Sequence, residues 1–397
     1  MLDYVRTPRG KGSAKGSLAA VSPVQLLVHL EQNLVARTGI DPATVDDVVV
    51  GNSQQVGDQG ANIARTSVLL AGWGDHAPGA TLNRFCASGV DAVGQTAARI
   101  RAGDLGLAVA GGVESVSRVP MFSDGGPLFC DPPTIARIGS VHMGIAADLN
   151  ATIEGYDREQ LDEYGVESQR KAAAAWDAGV FDRSVVGVPL PDGSVFARDE
   201  LIRPGTTMQS QAALAPAFAE LGAGGQDAIA LAAHPEVGRI EHLHTVGSSP
   251  AMADAAALLL LGDEEAAART GLRPRARIIG YAVTSTDPVI MLTAGQSAVE
   301  RVIARAGLRP ADIDVFEFAE AFSALCLRFR RDLDAGPDRM NPNGGTMAMG
   351  HAFGATGAIL VGQCIEELER RSGRYGVAAV SGAAGLGVAV LVERITS

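Results

Sequence analysis

Cysteine is scarce in this chain, with four residues in 397, no CxxC and no paired spacing. That leaves neither a disulfide framework nor a zinc cluster to argue for, and a reducing compartment is the expected home. No stretch reaches 18 uninterrupted apolar residues, so no membrane-spanning helix is expected. Met1-Leu2-Asp3-Tyr4-Val5-Arg6 lacks the apolar core and small-residue cleavage site of a secretory signal. Together these absences predict a cytoplasmic protein with no membrane partner. Positive charge is in deficit: 45 acidic against 33 basic residues give a net charge of −12, which disfavours nucleic acid or an anionic membrane as a general partner and leaves room only for a local basic pocket. Gly111-Gly112 is not part of a GxGxxG fingerprint, so a dinucleotide fold has no support there.

What is present is small and apolar. Hydrophobic residues reach 47% although aromatics supply only 5%, and Gly occupies 48 positions, so Ala, Val, Leu and Ile dominate, as in a tightly packed soluble α/β enzyme. The length suits two or three domain-sized units or one large duplicated body. Strand-like runs bounded by Gly or Pro fall at 47–50, 107–110, 277–281, 314–318, 377–380 and 388–392. Helical periodicity fills 23–36, 89–102, 296–306, 321–333 and 355–371. This alternation predicts an α/β fold with a mainly parallel sheet. Residues 2–5 look too short to complete a buried strand before the loop at 6–12. Segments 107–115 and 378–385 each read as a buried strand entering a small-residue turn, a hint of duplication. Residues 119–245, rich in Pro, Gly and charge, read as an insertion, with Asp157 spaced to cap a polar helix, and 262–275 as the connection between halves.

Two segments carry chemistry. In Asn83-Arg84-Phe85-Cys86-Ala87-Ser88-Gly89 a cysteine stands in a tight turn at a helix start, where the helix dipole is expected to lower the thiol pKa. In Asn341-Pro342-Asn343-Gly344-Gly345-Thr346-Met347-Ala348-Met349-Gly350-His351-Ala352-Phe353-Gly354-Ala355-Thr356-Gly357 five glycines display one histidine beside the start of another helix. A Cys and a His on separate glycine-rich turns suit an activated thiolate. The other cysteines, Cys130, Cys326 and Cys364, lack such settings. Glu114, Glu317 and Glu320 read as structural hydrogen-bonding groups; Arg170, Lys171 and Arg203 read as a solvated face. No second ligand lies at helical spacing from His142, so no metal site is expected.

Taken in order, these motifs resemble those of the thiolases, acyl-CoA C-acyltransferases of the 3-ketoacyl-CoA or acetoacetyl-CoA type. The likeness runs from Arg6-Thr7-Pro8 through 83–89, Ala110-Gly111-Gly112-Val113-Glu114-Ser115-Val116-Ser117, His142-Met143-Gly144 and 341–357 to 382–393. The resemblance implies a duplicated αβαβα core, with halves at 1–265 and 270–397 and a loop domain inserted at about 119–245 to hold coenzyme A. It also implies acyl-CoA thioesters as partners, coenzyme A as substrate or product, no permanently bound cofactor, and a homodimer or homotetramer. Cys86 would be the acylated nucleophile and His351 its base, with His142, Met143, Ser248, Ser249, Phe322, Gly350 and Gly385 at the substrate.

The chain departs from the pattern at two catalytic positions. Ala319, in Phe316-Glu317-Phe318-Ala319-Glu320-Ala321-Phe322, stands where the family has an Asn or His that fixes an oxyanion-hole water, and Ser381 stands where it has a second cysteine acting as acid and base. A serine hydroxyl is far less acidic than a thiol, and an alanine side chain binds no water. Ala352 replaces the family's Pro after the histidine, and Pro250 replaces a serine of the stretch that contacts coenzyme A. Two readings follow: an active acyltransferase with altered proton handling, or a thiolase-fold protein that binds acyl-CoA or a partner with little or no turnover.

Overall fold

A computed structural model of the chain describes residues 1–396. Its strands are β1 (Asp3–Arg6), β2 (Gly10–Lys11), β3 (Asp47–Gly51), β4 (Ala80–Leu82), β5 (Leu107–Ser115), β6 (Val188–Pro189), β7 (Val195–Phe196), β8 (Ala253–Gly262), β9 (Ala276–Ser285), β10 (Val315–Phe318), β11 (Tyr375–Gly382) and β12 (Leu386–Arg394). One sheet runs β1-β8-β5-β3-β4 and a second runs β10-β11-β12-β9. The two repeat one plan. β5 pairs parallel with β3 and antiparallel with β8, which is antiparallel to β1; β11 pairs parallel with β10 and antiparallel with β12, which is antiparallel to β9. The related segments 107–115 and 378–385 thus begin on corresponding strands, β5 and β11, of a duplicated core.

Two helices, Ser88–Ala102 and Phe353–Arg371, fill the space between the sheets. Val90 and Val93 from one, and Ile359, Leu360 and Val361 from the other, share a buried cluster with Ala257 and Leu259 of β8 and Val388 and Val390 of β12. Helix Pro23–Thr38 covers the outer face of the first sheet, and helix Ala294–Arg305 that of the second. The order of layers is therefore αβαβα. Apolar side chains on both faces of the central strands explain why they read as continuous hydrophobic runs.

Three expectations change. The sheets are mixed, because antiparallel β8 and β12 each follow a parallel neighbour in space. β8, Ala-Asp-Ala-Ala-Ala-Leu-Leu-Leu-Leu-Gly, has no β-branched residue and no strand signal, yet it lies buried between β1 and β5. Tertiary pairing overrides the helical preference of Ala and Leu there. The short run near the start does form a fully buried strand, β1, completed by pairing with β8.

Between β5 and β8 the regular elements are helices, apart from the β6–β7 hairpin, joined by long irregular segments. Asp157 caps helix Arg158–Asp177 as its spacing predicted, accepting from Gln160 N at 2.9 Å. Arg6 ties this region to β1: its guanidinium meets Asp199 at 2.9 and 3.1 Å with both side chains fully buried.

The starts of the two central helices touch through backbone. A Cβ added at Gly89 would sit 2.4 Å from Gly354 O, and one at Gly357 would sit 2.3 Å from Val90 N. Gly89→Ala should therefore destabilise the protein by about 1–3 kcal/mol, the usual penalty of overpacking, although alanine is the better helix former by roughly 1 kcal/mol. Gly336→Ala, at an exposed position with open space around the added carbon, should leave the thermal midpoint within a degree or so. Equal melting of the two variants would show that the helix starts can separate freely.

Candidate active site

Cys86 and His351 each stand two residues before a central helix, at Ser88 and Phe353, so the contact of those helices at Gly89 and Gly354 brings their two turns to one place. The cysteine turn is built by its own side chains. Ser88 Oγ accepts from Arg84 N at 2.8 Å and donates to Phe85 O at 2.6 Å, while Asn83 Oδ1 accepts from Phe85 N at 2.7 Å. Phe85 consequently adopts φ +50°, a strained left-handed conformation for a bulky residue. Cys86 lines a small cavity with Met143, Phe353 and Ala383, and the Phe353 ring lies edge-on to His351 with centroids 5.2 Å apart.

His351 is held by backbone and side chain together. Its N–H donates to Ala251 O at 2.8 Å, its carbonyl accepts from Ala253 N at 3.1 Å, and its Nδ1 pairs with Thr356 Oγ1 at 2.8 Å. With Nδ1 donating to Thr356 Oγ1, Nε2 is the nitrogen able to take a proton. Burial, reinforced by the Arg9 guanidinium, lowers the imidazole pKa to about 4. The thiol moves the opposite way: burial, with the Glu114 carboxyl adding to it, pushes Cys86 up to about 12. This reverses the expectation that the helix start would lower it. Desolvation outweighs the dipole, and at rest Cys86 is a neutral thiol and His351 a neutral imidazole.

Glu114 locks the site from beneath. Its carboxylate accepts from Gly354 N and Ser53 N at 2.9 Å and from Gln59 Nε2 at 2.8 Å. Burial raises its pKa against these donors. Glu320 is equally structural, accepting from Ser168 Oγ at 2.7 Å, Tyr164 Oη at 2.9 Å and Met347 N at 3.1 Å. Glu317 differs: it is buried, its Oε2 has no hydrogen-bond partner among the described residues, and its pKa is raised by burial and by Glu367 and Glu320.

Ser381 does not face Cys86. Alternation along β11 puts Ala378 and Val380 in the central cluster and Val377 and Ala379 in the outer one, and Ser381 follows the outer set. Its hydroxyl donates to Leu292 O at 2.7 Å and accepts from Gly295 N at 3.0 Å. The neighbouring Gly382 approaches Arg84 O and Phe85 instead. Ala319 is buried in the central cluster that also contains Ala87 and Ala352, and its N–H donates to Ala379 O at 3.0 Å. Gly350 needs φ +101°, since any side chain there would strike Leu201 and Ala253, and Gly385 needs φ +74° against Thr286 O.

A second hollow of about 860 Å³ is lined by Lys11, Arg203, Phe218, Ser249, Pro250 and Met347. Ser249 Oγ is buried without a hydrogen-bond partner among the described residues. Ser248 instead shapes the turn, accepting from Thr245 N at 2.8 Å. Arg203 belongs to this hollow, whereas Lys171 pairs with Glu167 on its own helix. His142 caps helix Met143–Glu154 and packs on Phe218 at 5.7 Å, and Phe322 packs edge-on to Phe218 at 5.8 Å, so both rings rest on a side chain that lines the hollow. A larger hollow of about 1170 Å³ near Ile100 and Leu272 includes none of the catalytic candidates.

Sequence reading missed the group that fixes the 245–249 turn. Asp148 accepts from His244 N at 3.0 Å and pairs with His244 Nδ1 at 2.8 Å and His242 Nδ1 at 2.9 Å; His242 Nε2 reaches Asp227 at 3.0 Å. Burial alone would lower the His242 pKa, but the two carboxylates outweigh it and raise it. The signal available was His242-Leu243-His244 running directly into Thr245.

Comparison with known proteins matches two family models, "Thiolase, N-terminal domain" over residues 1–225 and "Thiolase, C-terminal domain" over 272–394. A 3-ketoacyl-CoA thiolase of Erwinia tasmaniensis is 37% identical, over 100% of this chain and 99% of that protein. A 3-oxoadipyl-CoA/3-oxo-5,6-dehydrosuberyl-CoA thiolase of Escherichia coli is 35% identical, over 99% and 98% respectively. The crystal structure of the Bacillus anthracis acetyl-CoA acetyltransferase superposes with a TM-score of 0.87 at 31% identity, covering 100% of this chain and 98% of that one. With a cysteine turn and a histidine loop placed at the abutting starts of the two central helices of a duplicated αβαβα core, and with both family models and full-length relatives in agreement, the chain belongs to the thiolase family.

Proposed function

We propose that this thiolase-type acyl-CoA C-acyltransferase works through an acyl-Cys86 intermediate, with His351 as the base and with proton handling altered at the carbon-acid step. The observation that carries the reading is the meeting of the Cys86 and His351 turns at abutting helix starts. His351 takes the thiol proton as Cys86 Sγ attacks the thioester or ketone carbonyl. A new Sγ–acyl bond forms, and the bond to coenzyme A sulfur, or to the α-carbon of a 3-ketoacyl-CoA, breaks. The leaving thiolate or enolate then needs a proton, and His351 holds one. Incoming coenzyme A then gives its thiol proton to His351 and attacks the acyl carbonyl; a new bond to coenzyme A sulfur forms, the Sγ–acyl bond breaks, and Cys86 leaves with that proton. The hollow beside Ser249 and Arg203 would receive the coenzyme: its volume suits a ligand of that size, and the orphan Ser249 hydroxyl suits an amide of the pantetheine arm.

Ser381 and Ala319 support the altered step. A hydroxyl already bonded to Leu292 O and Gly295 N has no proton to exchange with an enolate, and Ala319 offers no side-chain anchor for an oxyanion water. The same observations favour, as a second reading, a protein that forms the acyl-enzyme but turns over slowly. No helix among the described residues is long and apolar enough to cross a membrane, and we place the reaction in the cytoplasm. We also propose a homodimer or homotetramer, supported by the partly exposed edge strand β4 and by Leu69 and Leu70, 51% and 60% exposed on the nearby helix Ile63–Leu70.

Peptide mapping after incubation with acetyl-CoA should place the acyl group on Cys86 and not on the exposed Cys130 or the buried Cys326 and Cys364. Because the thiol sits near 12 and the imidazole near 4, Cys86 is protonated at neutral pH. Its alkylation by iodoacetamide should climb about tenfold per pH unit from 7 to 9; a plateau below pH 8 would mean a preformed thiolate. His351→Ala should slow acylation at pH 7 by a factor on the order of 10² to 10⁴. Arg9→Met, by removing a positive charge, should raise the His351 pKa seen by NMR.

Ala319→Asn should raise ketoacyl-CoA thiolysis by more than it raises acyl-enzyme formation, whereas Ser381→Cys, on a side chain turned toward Leu292 and Gly295, should add little. A parent protein already turning over at about 10 per second, the ordinary median, and unchanged by Ala319→Asn would show that some other group stabilises the oxyanion.

A further inference from the structure

The cavity beside the Cys86 thiol is small and walled by rings. It encloses about 30 Å³, room for roughly two water-sized groups. Phe85, Phe122, Phe129 and Phe353 line it with Met121 and Met143. The rings brace one another: Phe122 and Phe129 have centroids 4.7 Å apart, and Phe85 meets Phe129 edge-on at 6.4 Å. Phe122 has φ +72°, a left-handed backbone unusual for a bulky residue. The segment bearing it is tied to the site's foundation. Asp124 N–H donates to Gln54 Oε1 at 3.3 Å, and Gln54 N–H donates to Glu114, the carboxylate that also holds the start of the Phe353 helix.

Charge is as restricted as volume. Among the described residues no Lys, Arg or His lines the cavity, and the one acidic residue that does, Asp124, is exposed. An acyl chain ending in a carboxylate would lose its water there, meet no cation and pass another negative charge. A long neutral chain would have to displace two packed rings.

We infer that the acyl group accepted by Cys86 is a two-carbon, uncharged one, with Phe122 and Phe129 as the specificity-determining residues that set the length limit. This rests on the acyl-Cys86 reading above and deepens it by naming the substrate class: acetyl, in preference to medium-chain or ω-carboxyl acyl groups.

The test follows Cys86 adduct formation by mass spectrometry in the full chain with acetyl-CoA, octanoyl-CoA and succinyl-CoA. Acetyl should label at least about tenfold faster than either of the others. Phe122→Ala should raise the octanoyl-to-acetyl ratio by at least about tenfold without a matching gain for succinyl, because the widened cavity still lacks a cation. Phe129→Ala provides the same readout should the first variant fail to fold. The inference is overturned if the parent takes octanoyl or succinyl as readily as acetyl, or if a variant with an unchanged melting curve keeps the parental ratio. Labelling by none of the three thioesters would instead remove the acyl-enzyme reading and this inference with it, a result distinct from labelling by all three.

Discussion

The contact on which this molecule depends is made of backbone. Where Gly89 meets the Gly354 carbonyl and Gly357 meets Val90, no side chain separates the two central helices, and each presents its first turn to the other. The proposed catalytic pair is thereby a consequence of packing: Cys86 and His351 come from distant parts of the chain, but their positions are set by where the two helices touch. Glu114 reinforces the contact by bonding both the start of the second helix and the chain after β3. A buried carboxylate is tolerable because several N–H donors surround it.

Burial then decides the electrostatics. At an exposed helix start a cysteine would be expected to ionise early, but Cys86 is half-buried with an acidic neighbour, and the thiol keeps its proton. Burial keeps His351 neutral, with Arg9 pressing in the same direction. In the mechanism proposed above, such a neutral pair would separate into thiolate and imidazolium as a substrate carbonyl arrives to receive the charge.

Much of this was legible in the residues and some was not. The glycines around Cys86 and His351 announced displayed side chains because a glycine-rich turn neither fills a core nor extends a helix, and so leaves its one reactive side chain free to point into a cavity. Asp157 announced its helix through cap spacing alone. β8 stayed hidden because Ala and Leu carry no strand preference and the two neighbours that make it a strand lie far away in sequence. The mixed pairing was hidden for a related reason: alternation of strand and helix does not record the direction in which a returning strand is laid down. The Asp148 carboxylate, which receives two histidines, was invisible since an acidic residue inside a helix usually faces water. The outward turn of Ser381 depends on counting parity along β11, which only the register with β10 and β12 fixes.

The pairing of β1 with β8 joins residues roughly 250 positions apart, and β8 is also the partner of β5. A ribosome must therefore deliver about two-thirds of the chain before the first sheet can close. Until then β5 presents an open edge of alanine, valine and glycine to a crowded cell. The nascent protein passes through an interval in which its stickiest strand is bare, and the charged helical region emitted between β5 and β8 is the part of the chain on hand to keep that edge soluble.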